Sequence, residues 1–278
     1  MKKIGIIDYF IDEWHSNTYL GLFEKASKEL GVDYKVTYAY AEVEQPGKML
    51  TDDWCAKNNV TRCYSIEELC EKSDNILILA PANPETHLKY AQIALSYGKT
   101  TYIDKTFAPD LQTAKEIFAI AEKYGTKIFT SSALRYAEEI AEYTDVKNVM
   151  IKGGGRSLEE YIIHQIEMAV KCLGVGAEKV RYSKHADQEW AEVSYPDGRY
   201  ATMMFAPCMP FAATVADEEG RSAHVAINSP FFDYLIADIF HFFETGETSF
   251  CSCETLEVMK IRERVIEAKS KAGIWLNV

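Results

Sequence analysis

The sequence predicts two domains in series: a parallel α/β domain over residues 1–142 and an α+β domain with a mainly antiparallel sheet over residues 143–278. Three observations carry this. The run Ile76-Leu77-Ile78-Leu79-Ala80 reads as a strand buried on both faces, and a single helix links it to the next strand, Thr101-Tyr102-Ile103. Two strands joined in that way are parallel. In the second half, strand patterns instead flank tight-turn signals, as at Pro196-Asp197-Gly198. The length, 278 residues, is comfortable for two cores.

Taken in order, Lys3 to Asp8 is the first strand. Ser16 to Leu30 follows as a helix, with Ser16 as its cap, Leu20, Phe23, Ala26 and Leu30 on its inner face, and Gly31 closing it. Tyr34 to Tyr40 is the second strand, Asp52 to Asn58 a short helix and Thr61 to Tyr64 a short strand. Ser65 to Glu71 is a helix opened by the capping box Ser65-x-x-Glu68. After Pro81, Asn83-Pro84 supplies a cap and a preorganised first residue for the helix that ends at Gly98. Asp110 to Tyr124 is the next helix and Lys127 to Ser131 the last parallel strand. Ligands bind such sheets beyond the carboxyl ends of the strands. Pro81 and Asn83 lie at one such end and Asp104-Lys105 at the next. By itself, Lys105 reads as a solvated loop lysine.

In the second half, Val149 to Lys152 is a short strand and Gly153-Gly154-Gly155 a flexible entry to the helix Ser157 to Leu173. Trp190 to Tyr195 and Arg199 to Phe205 form one hairpin, and Phe211 to Ala216 and Ser222 to Ile227 a second. Helices follow at Phe231 to Thr245 and Glu254 to Ala272, then a final strand from Ile274 to Val278. The helix from Ser157 carries Glu160, His164, Glu167 and Lys171 on one face. Its plain reading is a solvated stripe, with Ser157-x-x-Glu160 as a capping box.

Pro81, His87, Gly98-Lys99 and Asp104-Lys105-Thr106 stand where the glucose-fructose oxidoreductase/inositol dehydrogenase/MocA family has a proline, a helix-opening histidine, Gly-Lys and Glu-Lys-Pro. Glu160, Ile162, His164 and Glu167 fall on that family's G-G-x-x-x-D-x-G-x-H-x-x-D pattern. The sequence thus resembles a divergent, shortened member. The resemblance implies a Rossmann-like first domain and an NAD(P)-dependent oxidoreductase acting on a sugar, polyol or similar hydroxylated molecule. It implies catalytic roles for Lys105 as an electrostatic clamp, His164 as acid/base and Glu160 as its orienter or a substrate contact. It also implies substrate contacts at Arg135, Tyr136 and Glu167, and cofactor contacts at Asp8, Phe10, Glu42, Pro81, Asn83, His87 and Asp104. No metal pattern is present. Thr106 replaces the family's proline, and without proline a cis bond costs about 3 kcal/mol, so Lys105–Thr106 is expected trans.

A dinucleotide-binding turn has G-x-G-x-x-G after its first strand; this chain has Asp8-Tyr9-Phe10-Ile11-Asp12-Glu13-Trp14-His15. A carboxylate ~5 Å from a phosphate costs on the order of 3 kcal/mol at an effective dielectric near 20. NAD or NADP binding is therefore expected to be weak or lost. The alternative function is a cofactor-free family derivative that binds a ligand or regulates. A net charge of −12 disfavours nucleic acid and anionic membranes, leaving a small-molecule substrate and a second copy of the chain as partners. No apolar run approaches the ~20 residues of a membrane span, and a cytoplasmic protein with reduced, mostly buried thiols is expected. Trp190, Met203, Phe205 and Phe211 suggest an uncovered apolar sheet face through which copies associate.

Overall fold

The computed structural model describes residues 1–144 and 146–278. Two compact units result: residues 1–131 with 233–249, and residues 132–232 with 250–278. The division is not the single cut at residue 142 that the sequence suggests, because most of one late helix belongs to the first unit.

The first unit alternates strand and helix: β1 (Lys2–Asp8), α1 (Trp14–Leu30), β2 (Tyr34–Ala41), α2 (Thr51–Asn58), β3 (Thr61–Arg62), α3 (Ile66–Lys72), β4 (Asn75–Ile78), α4 (His87–Ala94), β5 (Thr101–Ile103), α5 (Leu111–Tyr124) and β6 (Ile128–Phe129). The sheet is parallel throughout, in the order β3-β2-β1-β4-β5-β6. Strand order reverses between β1 and β4, which opens a crevice at their carboxyl ends. β4 is buried along its whole length, as an interior parallel strand requires. Gly31, Gly98 and Gly125 take the left-handed conformation after their helices.

Three local expectations fail here. Glu13, not Ser16, caps α1, because the helix begins at Trp14 and Ser16 lies inside its first turn, where its hydroxyl donates to Asp8 at 2.7 Å. Leu30, expected inside, is 51% exposed in the last turn of α1. Asn83 stands at the cap position but makes no side-chain cap bond; its amide donates to Glu85 at 3.0 Å.

The second unit holds β7 (Asn148–Gly153), α6 (Leu158–Leu173), β8 (Lys179–His185), β9 (Gln188–Ser194), β10 (Tyr200–Phe205), β11 (Ala212–Ala216), β12 (Ser222–Ala226), α8 (Ser252–Ala268) and β13 (Trp275–Asn277). Its sheet runs β12-β11-β7-β10-β9-β8-β13, antiparallel except where β10 meets β7. Strand β8 has no counterpart in the sequence reading. Both predicted hairpins form. α6 and α8 cover one sheet face. Met203 and Phe205 point to that covered face and are buried, which corrects their expected place on the open one. The open face carries Met150, Trp190, Thr202 and Met204, with Met204 opposite Trp190 and Thr202 opposite Met150.

The remaining helix, α7 (Phe231–Thr245), packs from Asp233 onward in the first unit. Its Phe240 ring lies 5.1 Å from Phe23 and 4.9 Å from Tyr34, and Phe242 lies 5.4 Å from Phe129. The triple glycine is a packing device rather than a flexible entry. A Cβ on Gly154 would stand 2.2 Å from the Ala206 carbonyl oxygen, and one on Gly155 would enter the Tyr161 ring. Cys251 and Cys253 are joined as a disulfide at the start of α8, where the expectation was reduced thiols; two exposed cysteines so close in sequence are brought together by the first helical turn. Among the described residues, Cys55, Cys63, Cys70 and Cys172 are free and buried.

Candidate functional site

In the first unit the candidate site is the turn after β1. Asp8 ends that strand fully buried and ties three elements together. Its carboxyl accepts the Tyr9 amide at 2.7 Å and the Ala80 amide at 3.2 Å, and meets the Ser16 hydroxyl. Burial pushes its acid group well above the ordinary carboxyl range, and the nearby charge of Glu13 pushes it further, against the bonds from Ser16, Tyr9 and Ala80. Asp8 is therefore a structural pin held toward its neutral form.

Glu13 turns its carboxylate onto the amino end of α1, where it accepts the His15 amide at 2.8 Å and the Ser16 amide. Burial opposes its ionisation, but His15 and those amides hold it below the usual range. The His15 ring lies between two carboxylates, with Nδ1 3.4 Å from Glu13 and Nε2 3.5 Å from Asp104. Asp104 is buried and accepts the hydroxyls of Tyr19 at 3.4 Å and Tyr102 at 3.2 Å. Asp12 bonds Asn17 and the Met49 amide, both at 2.9 Å, and so is tied to the loop before α2. Phe10 is half-buried in the same turn.

Lys105 is 9% exposed rather than solvated, and its ammonium donates to the Pro81 carbonyl at 3.3 Å. The Lys105–Thr106 bond is cis, which corrects the trans expectation. Asp104 through Phe107 are all buried, so tertiary packing rather than local preference sets the isomer. His87 is wholly buried, with Nδ1 3.0 Å from the Phe107 carbonyl and Nε2 2.8 Å from that of Leu79. It is a clamp between the end of β4 and the segment after Lys105; burial holds its ring below the usual imidazole range. Glu42, just past β2, accepts Lys89 at 2.5 Å and the Tyr90 hydroxyl at 2.6 Å, and these bonds hold its carboxyl low.

A dinucleotide places its pyrophosphate on the first-turn amides of this helix. Here Glu13 already takes the amides of His15 and Ser16 with a carboxylate. The turn in this arrangement does not fit a phosphate.

In the second unit the candidate site lies at the amino end of α6. Ser157 caps the helix through the Glu160 amide. The Glu160 carboxylate pairs with Arg156, one turn back. The ring of His164 instead meets the Ser132 hydroxyl, with Nδ1 2.7 Å from Oγ. Tyr161 and Phe211 flank it edge-on at 5.6 and 6.0 Å. Glu167 is buried rather than part of a solvated stripe, and accepts the Ser132 amide at 3.4 Å and Arg135 at 3.3 Å. Burial raises its acid group, against the pull of Arg135. Arg135 also pairs with Glu254 and lies 3.7 Å from the Phe250 ring centroid. Charges this deep must be paired. Arg135 and Glu167, expected at a substrate, thus bind each other, while Tyr136 is half-buried on the same turn.

His164, Glu167 and Arg135 are brought together; Glu160 is drawn to Arg156. Sequence reasoning missed Ser132, which lies past the end of β6 and caps the short turn Ala133–Tyr136. Among the described residues, no group of three or more His, Cys, Asp or Glu side chains is placed to hold a metal ion.

No family model matches the chain. The uncharacterized oxidoreductase YhhX of Escherichia coli (strain K12) is 33% identical over 63 residues, which is 23% of this chain and only 18% of that protein. Among solved structures, the UDP-N-acetylglucosamine 3-dehydrogenase GnnA from Acidithiobacillus ferrooxidans superposes with a TM-score of 0.77 at 13% identity, covering 96% of this chain and 97% of that one. GenD2 from gentamicin A biosynthesis, in complex with NAD, gives 0.79 at 11% identity, covering 100% of this chain and 97% of that one. The chain has the fold of these two proteins over essentially its whole length.

Proposed function

We propose that this chain, with the fold of the two-domain dehydrogenases, is an oxidoreductase that uses NAD or NADP on a sugar, polyol or similar hydroxylated small molecule. The observation that carries the reading is His164, held by the Ser132 hydroxyl at the start of α6. Oxidation of an alcohol needs a base to take the hydroxyl proton as hydride leaves the carbon, and imidazole suits that task near neutral pH. The Ser132 hydroxyl, 2.7 Å from Nδ1, fixes the orientation of the ring. Lys105 is assigned the ammonium that steadies negative charge developing on the substrate oxygen. Glu160 is withdrawn as the orienter of His164, because Ser132 takes that role. GnnA is a sugar-nucleotide dehydrogenase by name and GenD2 was solved with NAD, which supports the substrate and carrier classes. Because the turn after β1 does not fit a phosphate, no step is assigned to the carrier.

A second reading, a derivative that has lost the nicotinamide and binds or regulates, is favoured by Glu13 on the α1 amides. A panel of sugars and polyols with NAD and NADP, followed by nicotinamide absorbance, separates the two. On any substrate found, His164→Ala, Ser132→Ala and Lys105→Ala should each lower kcat with little change in carrier affinity. Ser132→Ala should also move the pH profile of kcat/KM, with Ser132→Thr restoring it. Wild-type turnover in a variant would remove the role given to that residue.

We also assign self-association to the open sheet face, where Met150 is 53% exposed beside Thr202 and near the Met204–Trp190 pair. No helix among the described residues is long and apolar enough to cross a membrane. The four buried free thiols support a cytoplasmic setting, and the Cys251–Cys253 disulfide counts against it.

A further inference from the structure

We propose that Glu13 is a resident anion on the amino end of α1, and that its charge, beyond the missing glycines, keeps a dinucleotide phosphate out of the turn. This rests on the NAD(P) reading above. The first-turn amides of a 17-residue helix carry partial positive charge and attract an anion. In this chain the anion is covalently attached: the Glu13 carboxylate takes the amides of both His15 and Ser16. It is not a mobile surface acid. The side chain is nine-tenths buried and lies 3.4 Å from the His15 ring, whose far nitrogen faces Asp104 at 3.5 Å.

The neighbouring acids do not share this position. Asp12 is drawn to Asn17 and Met49, and Asp8 is turned to Tyr9, Ala80 and Ser16. Bulk alone, as at Phe10, yields to a side-chain rotation. A carboxylate on the same two amides does not, because a phosphate arriving there loses its donors and meets a like charge at contact distance.

Titration of the wild type, Glu13→Gln and Glu13→Ser with NADH and NADPH, followed by nicotinamide fluorescence, tests this. Serine retains a capping oxygen and glutamine retains length and an acceptor; both remove the charge. The wild type should bind nearer millimolar than micromolar, and the variants about tenfold tighter or better, with inorganic pyrophosphate competing. Circular dichroism checks that each variant is folded, and the glutamine variant carries the test should the serine variant not fold. Measurable binding of equal strength in wild type and variants overturns the assignment to Glu13 and leaves the oxidoreductase reading standing. No binding to any of the three up to millimolar nucleotide overturns both.

Discussion

Replacing Asp8 by asparagine should make the protein more stable at neutral pH, although it alters the buried end of the central strand. Asp8 accepts two amides with one oxygen and meets the Ser16 hydroxyl with the other. The Ser16 hydroxyl donates to the carboxylate; a protonated carboxyl, or an asparagine NH2 group, keeps the same contact with the direction reversed, donating to Ser16 Oγ. Burial raises the folded-state value of Asp8 above that of the unfolded chain, which is about 3.9. A raised carboxyl adds stability below the unfolded value and loses it as pH rises through the folded one. In that window the folded state holds one more proton than the unfolded state, so unfolding free energy falls by about 1.4 kcal/mol per pH unit. Asp8→Asn removes the slope. Urea unfolding of both proteins from about pH 5 to about pH 8 should show the variant gaining on the wild type by up to this amount per unit until Asp8 ionises. Curves that stay parallel across the range, or a wild type that gains on the variant as pH rises, would refute the placement of a proton on Asp8.

Gly154→Ala should lower the melting temperature, because the added Cβ meets the Ala206 carbonyl oxygen at 2.2 Å and the Met209 nitrogen at 2.6 Å, both backbone. Overpacking of this kind costs about 1–3 kcal/mol, and an unchanged melt would show that residues 206–209 give way freely. Met150→Glu, on the open sheet face, should shift sedimentation toward monomer at micromolar concentration; a wild type that is already monomeric there would dispose of the association.

The architecture was legible because it rests on local signals that no distant contact contradicts. The run Ile76 to Ala80 is buried on both faces, Gly31, Gly98 and Gly125 turn left-handed after their helices, and both hairpins close where Gly198 and Gly220 permit. The placement of α7 was not legible. Its apolar face names no partner by itself; in the structure Phe240 meets Phe23 and Tyr34, and Phe242 meets Phe129, all in the first unit. The cis bond after Lys105 was missed for a like reason: local preference is small against the packing of a buried segment.

The candidate sites show where spacing stops being informative. Spacing establishes which side chains share a face of one helix, so Glu160 and His164 were rightly seen as neighbours. It does not rank competing partners. Arg156, also one turn away, takes Glu160, and Ser132, 32 residues distant in sequence, takes His164. Arg135 and Glu167 were both read as substrate contacts from the family resemblance; in the structure they are buried and pair with each other. The same competition governs the turn after β1. Residue preference points to Ser16 as the cap, but α1 begins at Trp14, so Ser16 lies inside the first turn and Glu13 holds the cap position. Asp8, buried at the end of β1, takes the Ser16 hydroxyl, and the Glu13 carboxylate takes the amides of His15 and Ser16. Two acidic side chains five residues apart thus divide the groups of one turn, Asp8 taking the Ser16 hydroxyl and the Ala80 amide and Glu13 the helix amides, a division that spacing does not show.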